Sequence, residues 1–219
     1  MLCGSGSGNA LLCASCRREL PRPHAPTCPV CAGPGDFLRD GQICGSCLKQ
    51  PPAYDRCIAA LRYAFPASDL IQALKYGKRL VLAHLLADVL TEAVDRAPRP
   101  DVIVPLPLHP ERVRARGFNQ ATEIAKPLAR KLDIPIDTAR LARTRDTAPQ
   151  ATLSLDDRHR NVKNAFTCAR EDAWDGKHVA LLDDVMTSGA TLNEAAKALK
   201  RAGAAEVSLW VAARALPHH

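Results

Sequence analysis

From about residue 57 onward, apolar residues recur with two alternating periods. Short apolar runs read as strands at 57–65 (CIAALRYAF), 101–104 (DVIV), 141–145, 178–182 (HVALL) and 207–213. Between them the spacing predicts helices at 69–76, with Ser68 as N-cap, at 80–94, at 119–131, and at 191–202 ending at Gly203. In the second of these, Leu82, Leu85, Leu86, Val89, Leu90 and Ala93 share one face. Residues 146–155 are polar and loop-like, and 156–161 form a short, very polar helix candidate. Strands alternating with helices predict an α/β unit built on a parallel sheet flanked by helices.

Residues 1–50 show no long apolar period. They hold seven of the nine cysteines and many prolines and glycines, and need a staple to fold. Gln50-Pro51-Pro52 is a natural boundary, which separates a module at 1–52 from a larger unit at 53–219. Three Cys-x-x-Cys pairs stand in the first part: Cys13/Cys16, Cys28/Cys31 and Cys44/Cys47. Two-residue spacing lets both thiolates of a pair meet one ion from a single turn, and two pairs complete a tetrahedral zinc site. Pro29 inside the second pair and Gly33 after it suit such a turn. The set Cys28, Cys31, Cys44 and Cys47 is the favoured zinc site; closed by four thiolates, it is structural. Cys13 and Cys16 form a second, less complete set, to which Cys3 can add one ligand. Cys57 and Cys168 are isolated and read as small apolar core residues.

Charge narrows the partners. Thirty basic residues against 23 acidic ones leave +7, a surplus that draws polyanions: nucleic acid, anionic lipid or phosphorylated metabolites. Aromatics at 4% leave few rings for base stacking, which argues against a dedicated single-strand binder. No run approaches the roughly 20 apolar residues of a membrane span. The N-terminus lacks a basic segment followed by an apolar core, so the expected compartment is the cytoplasm, where paired cysteines hold metal more often than they form disulfides.

The segment 179–191, Val-Ala-Leu-Leu-Asp-Asp-Val-Met-Thr-Ser-Gly-Ala-Thr, carries the most chemistry. An apolar strand runs into two acids; a turn of Thr187, Ser188 and Gly189 follows, and a helix begins near Thr191. Free N–H groups at a helix start attract anions, and Gly189 lets the backbone approach one closely. The hydroxyls of Thr187, Ser188 and Thr191 add donors, while Asp183 and Asp184 are acceptors suited to a sugar diol. Each feature alone also fits an ordinary helix cap. Together they fit a sugar phosphate. With no lysine in the Walker-A position, this is not a nucleotide-triphosphate loop.

Asp183-Asp184-Val185-Met186-Thr187-Ser188-Gly189-Ala190-Thr191 resembles the phosphoribosyl pyrophosphate loop of type I phosphoribosyltransferases, and the chain more narrowly resembles the ComF family of competence-associated, phosphoribosyltransferase-like proteins. Pro105-Leu-Pro-Leu-His-Pro110, Arg116-Gly-Phe-Asn-Gln120 and Arg145-Asp-Thr-Ala-Pro-Gln150 match that family's pattern, as do the following Leu153, Arg158, Asn161 and Ala165-Phe166. The cysteine pairs resemble its double zinc ribbon, with the first pair reduced here to Cys3 followed by Gly-Ser-Gly-Ser-Gly. The resemblance implies a type I phosphoribosyltransferase-like sheet preceded by a zinc ribbon. It also implies that Asp183 and Asp184 meet the ribose hydroxyls, and that Thr187, Ser188, Gly189, Ala190 and Thr191 surround the 5′-phosphate. Pro105, Leu106, Pro107, Leu108 and His109 would then face the pyrophosphate, with Mg²⁺ accompanying the ligand. Arg116, Asn119 and Gln120 join that side, whereas Arg112 and Arg114 read equally well as a solvated charge run. Thr147, Gln150 and Arg158 fall where the family carries a hood over its site. Lys75, in Leu-Lys-Tyr-Gly, could reach a phosphate, although an exposed helix-end lysine is the plainer reading.

Three functions are compatible with these residues. The resemblance implies a phosphoribosyl pyrophosphate-binding protein linked to DNA uptake, with single-stranded DNA and uptake proteins as partners. A catalytic phosphoribosyltransferase acting on a nucleobase or amine is the second; neither an acceptor pocket nor a general base is legible, His109 and His159 carrying little weight. A zinc-ribbon adaptor for a protein or single-stranded DNA is the third.

Overall fold

The structure, a computed structural model, describes residues 11–24, 26–35, 39, 41–145, 161–170 and 172–215. Its centre is a four-stranded sheet of β1 (Arg56–Arg62), β2 (Val102–Pro105), β5 (His178–Met186) and β6 (Glu206–Arg214), in the order β1-β6-β5-β2. All three pairings are parallel, as alternating strands and helices require. Helices cover both faces, so the strands read as continuous apolar runs rather than as alternating ones. Helices α3 (Ala67–Lys75), α4 (Val81–Val94) and α6 (Gln120–Leu132) pack on one face, where Ile71 and Leu74 share a core with Leu86, Ile124, Leu182 and Trp210. On the other face the last helix, α7 (Ala190–Arg201), packs Leu192, Ala195 and Leu199 against Val179, Leu181 and Leu209.

The cysteine-rich segment covers the free edge of β1. Backbone N–H groups of Cys57 and Arg62 donate to the carbonyls of Pro29 and Pro21 at 3.1 and 2.7 Å, satisfying groups that an edge strand would otherwise expose. The segment contains two short helices, α1 (Ala14–Arg18) and α2 (Gly45–Lys49). Leu12, Cys16 and Leu20 join the core beneath α4. Among the described residues, no helix is long and apolar enough to cross a membrane.

Several expectations shift. Helix α3 starts at Ala67, with Pro66 at the cap position, and the Ser68 hydroxyl bonds the Asp69 carboxylate at 3.0 Å instead of capping. The strand expected at 178–182 continues to Met186, so the two acids lie within it; pairing of Asp183 with Val211 and of Met186 with Arg214 carries the ladder onward. An unexpected helix, α5 (Pro110–Arg116), occupies the charge run. It buries no residue, so it has no apolar stripe to betray it; its signals are Pro110 in the first turn and Gly117 after the last. Residues 141–145 yield β3 (Leu141–Arg143), which pairs antiparallel with β4 (Phe166–Cys168) outside the main sheet. Thr147, Gln150, Leu153, Arg158, His159 and the polar segment around them fall outside the described residues, as does Cys3.

Candidate functional site

Strands β2 and β5 are neighbours, and both candidate ligand segments leave their carboxyl ends side by side. Leu106 N–H donates to the Leu182 carbonyl at 2.8 Å, fixing the turn of residues 105–109 next to the acids. A crevice outside the carboxyl ends of parallel strands is where open α/β sheets bind ligands.

The acid pair divides its work. Asp183 lines a cleft of about 40 Å³ together with Thr187, Gly189 and Thr191. Asp184 points to the α3 face, is 2% exposed, and forms an ion pair with Lys75 Nζ at 2.7 Å. Burial and the neighbouring Asp184 charge hold the Asp183 carboxyl well above the usual carboxylate range, against the pull of Lys75. For Lys75, burial opposes the charge, but Asp184 more than offsets it and raises the ammonium pKa. The plainer reading of Lys75 as an exposed helix-end lysine is therefore overturned: its side chain is 20% exposed and tied to the site. Only the fold reveals this, although its position at the end of an amphipathic helix was a signal.

The loop itself turns at Gly189, whose φ of +80° precedes α7. That positive φ is what requires glycine; a Cβ there would also stand 2.7 Å from the terminal Met186 methyl, which a flexible side chain can move aside. Ala190 and Thr191 open the helix, with Thr191 facing the cleft and Ala190 buried. Ser188 lines a different space, a cavity of about 650 Å³ toward the cysteine segment, and its hydroxyl accepts weakly from Ala190 N–H at 3.4 Å.

On the β2 side, Pro105 and Leu106 are buried, and Pro107, Leu108 and His109 are half-buried. Asn119 caps α6 by accepting from Ala121 N–H at 3.0 Å, while its amide donates to the Leu106 carbonyl at 3.0 Å. Both ends of that side chain thus hold the turn against the helix. Gln120 is buried and accepts from Arg116, whose guanidinium lies 5.5 Å from the centre of the exposed Tyr76 ring. Arg114 pairs with Glu111 on the outer face of α5. The structure thus brings Lys75, Tyr76 and Arg116 to the edge that carries the acids and the turn.

A second centre stands behind the loop. The sulfurs of Cys28, Cys31, Cys44 and Cys47 all lie within 4.8 Å of one another, and Cys31 and Cys44 are 3.7 Å apart. Zinc–sulfur bonds of about 2.3 Å arranged tetrahedrally place sulfurs about 3.8 Å apart, so the quartet fits structural zinc. Burial disfavours a thiolate at Cys28, but backbone N–H groups of Cys44, Cys31 and Val30 aimed at its sulfur bring the thiol down to about 7. The turn's left-handed residue is Ala32 (φ +53°) rather than Gly33; glycine matters at 33 because a Cβ would stand 3.2 Å from the Cys31 sulfur. Cys13 and Cys16 lie apart from this quartet, with Cys16 buried beneath α4. Cys57 is buried beside Met186, and burial pushes its thiol up to about 12, in keeping with a core role. In Cys28→Ser/Cys44→Ser, zinc measured by atomic emission should fall by about one equivalent per chain. Unchanged zinc would place the metal elsewhere.

Residues 119–216 match the phosphoribosyl transferase domain family, and residues 1–48 match the double zinc ribbon domain family. The chain is 37% identical over 211 residues to competence protein F of Haemophilus influenzae, covering 93% of this chain and 90% of that one. It is 39% identical over 211 residues to the DNA utilization protein YhgH of Escherichia coli K12, covering 94% and 91%. Among solved structures, adenine phosphoribosyltransferase from Thermoanaerobacter pseudethanolicus aligns over 61% of this chain and 82% of its own, at 16% identity and a TM-score of 0.38.

Proposed function

Because this chain belongs to the ComF family of phosphoribosyltransferase-like proteins with a zinc ribbon, we propose that its loop of residues 183–191 binds phosphoribosyl pyrophosphate with Mg²⁺, in a role tied to DNA uptake. One observation carries the reading: a half-buried acid, a glycine turn and a helix start converge on one small cleft at the sheet's carboxyl edge. A sugar phosphate satisfies the acid through its diol and the helix start through its phosphate. In this reading residues 1–52 are the ribbon, residues 53–219 are the ligand-binding unit, and the compartment is the cytoplasm. The turn of residues 105–109, with Arg116, faces the pyrophosphate. Mg²⁺ would be held by the ligand's own pyrophosphate and ribose oxygens, where it would offset negative charge. The chain's own residues then position and orient the sugar.

Calorimetric titration of phosphoribosyl pyrophosphate with Mg²⁺ tests this, with ribose 5-phosphate and pyrophosphate as partial ligands. The intact donor should bind more tightly than either part, and no heat up to about millimolar ligand would end the reading. The pH dependence has a definite sign. In the free protein Asp183 holds its proton to an unusually high pH, because of burial and the Asp184 charge. Hydroxyl donors favour its ionised form, so binding releases a proton, and affinity rises with pH until the free carboxyl has itself ionised. Titrations in buffers of different ionisation enthalpy should show net proton release, and Asp183→Asn should abolish that component. A buffer-independent heat would mean that Asp183 does not meet the ligand.

The names of the relatives and the +7 charge favour a second reading, direct contact with single-stranded DNA. Such binding should weaken steeply with salt; binding absent at low salt would remove it. Release of pyrophosphate with some nucleobase or amine would add catalysis to either reading.

A further inference from the structure

The zinc quartet and the phosphate loop are held together by one side chain. Arg214, the last residue of β6, is half-buried between them. Its Nε donates to the Cys31 carbonyl at 3.0 Å, across 183 residues of sequence. One terminal nitrogen is shared among the carbonyls of Met186, at 3.1 Å, Thr187 and Ala215. The guanidinium therefore bridges a zinc-ligand residue to the backbone of the loop. The Met186 carbonyl has a second partner, Ala215 N–H at 2.9 Å. Nearby, Asn193 of α7 accepts from Ala53 N–H at 2.7 Å, tying the segment after the ribbon to the helix that the loop opens.

Peptide geometry gives the bridge a consequence. A trans peptide is planar, and its C=O and N–H point in opposite directions. A Thr187 carbonyl drawn toward Arg214 therefore turns the Ser188 N–H away from Arg214. The loop has two sides: Asp183, Thr187 and Thr191 line the small cleft, whereas Ser188 and Arg214 line the cavity toward the ribbon. Arginine suits this task because its rigid fork of donors reaches several carbonyls at once and stays charged.

We propose that Arg214 is a positioning residue that transmits the folded state of the Cys28–Cys31–Cys44–Cys47 zinc centre to the phosphate loop, so that the loop holds its ligand-ready form only when the metal is bound. This rests on the phosphoribosyl reading for its functional consequence, but not for the coupling itself. Zinc loss would free the Cys31 carbonyl, release the guanidinium and slacken the peptides of Met186 and Thr187.

The test uses full-length zinc-loaded protein, Arg214→Met and Arg214→Lys, each with and without a zinc chelator. Amide hydrogen exchange at residues 186–190 is the main measurement, alongside zinc content, thermal midpoint and affinity for phosphoribosyl pyrophosphate. Arg214→Met should keep its zinc yet exchange these amides about tenfold faster or more, since hydrogen bonds to a charged group are lost. Arg214→Lys, which keeps the charge with a less suitable geometry, should fall between; if the methionine variant fails to fold, the lysine variant decides. Chelation should speed exchange in the wild type but add little in Arg214→Met, because both act through the same link. Ligand affinity should follow loop exchange rather than the thermal midpoint. Unchanged exchange in both variants, or additive effects of chelation and substitution, would overturn the proposal. Should the wild type not bind the donor at all, the phosphoribosyl reading falls and the exchange measurements still decide the coupling.

Discussion

Asp183→Asn/Asp184→Asn should lose affinity for phosphoribosyl pyrophosphate by about 100-fold or more, because hydrogen bonds to charged acceptors contribute about 1.5–3 kcal/mol each. The two acids do not contribute alike. Asp183 lines the cleft, while Asp184 is committed to Lys75. The single variant Asp183→Asn isolates the ligand contact and should weaken binding by about tenfold or more. Asp184→Asn mixes that contact with a lysine left without its counter-charge. Calorimetry resolves the two, and equal binding by the double variant and the wild type would remove the site from residues 183–191.

The second large effect is on stability. Lys75→Met leaves the Asp184 carboxylate, 2% exposed, without its partner. Breaking a buried pair from one side costs about 3–5 kcal/mol. With the Lys75 side chain still 20% exposed, the lower end, about 3 kcal/mol, is expected. The midpoint of urea unfolding should fall accordingly. Lys75→Met/Asp184→Asn removes both charges and should recover most of the loss, the non-additivity that marks a direct pair. A single variant as stable as the wild type would show that the pair contributes nothing to stability.

Together these variants separate two jobs that the Asp-Asp pair suggests only jointly. Adjacent residues on a strand face opposite sides of the sheet. Two acids in a row therefore approach a ligand from different sides of the strand. Here one looks into the cleft and the other toward α3.

Much of the fold was legible because its signals are local. Leu82, Leu85, Leu86, Val89 and Leu90 repeat at helical spacing, and all are buried on α4. The runs at 178–182 and 207–213 are strands because apolar residues on both faces require cover on both faces. The zinc quartet was legible because two-residue spacing in each pair is itself the geometry of a metal knuckle. Helix α5 was not legible, since a helix that buries nothing leaves no period to detect. The extension of β5 through the acids was not legible either, because β6, not the sequence of β5, carries that pairing.

By itself, the sequence determined the α/β class, the cysteine quartet, and the order of acid, glycine turn and helix start in residues 183–191. All of these depend on residues near one another in the chain, where periodicity and spacing act directly. Tertiary structure alone decided that Lys75 neutralises Asp184, that Arg116 reaches Tyr76, and that Arg214 joins the Cys31 carbonyl to the loop. A buried charge or carbonyl must find a partner, but desolvation says only that one is needed. Which residue supplies it is settled when sheet order and helix packing bring distant segments together.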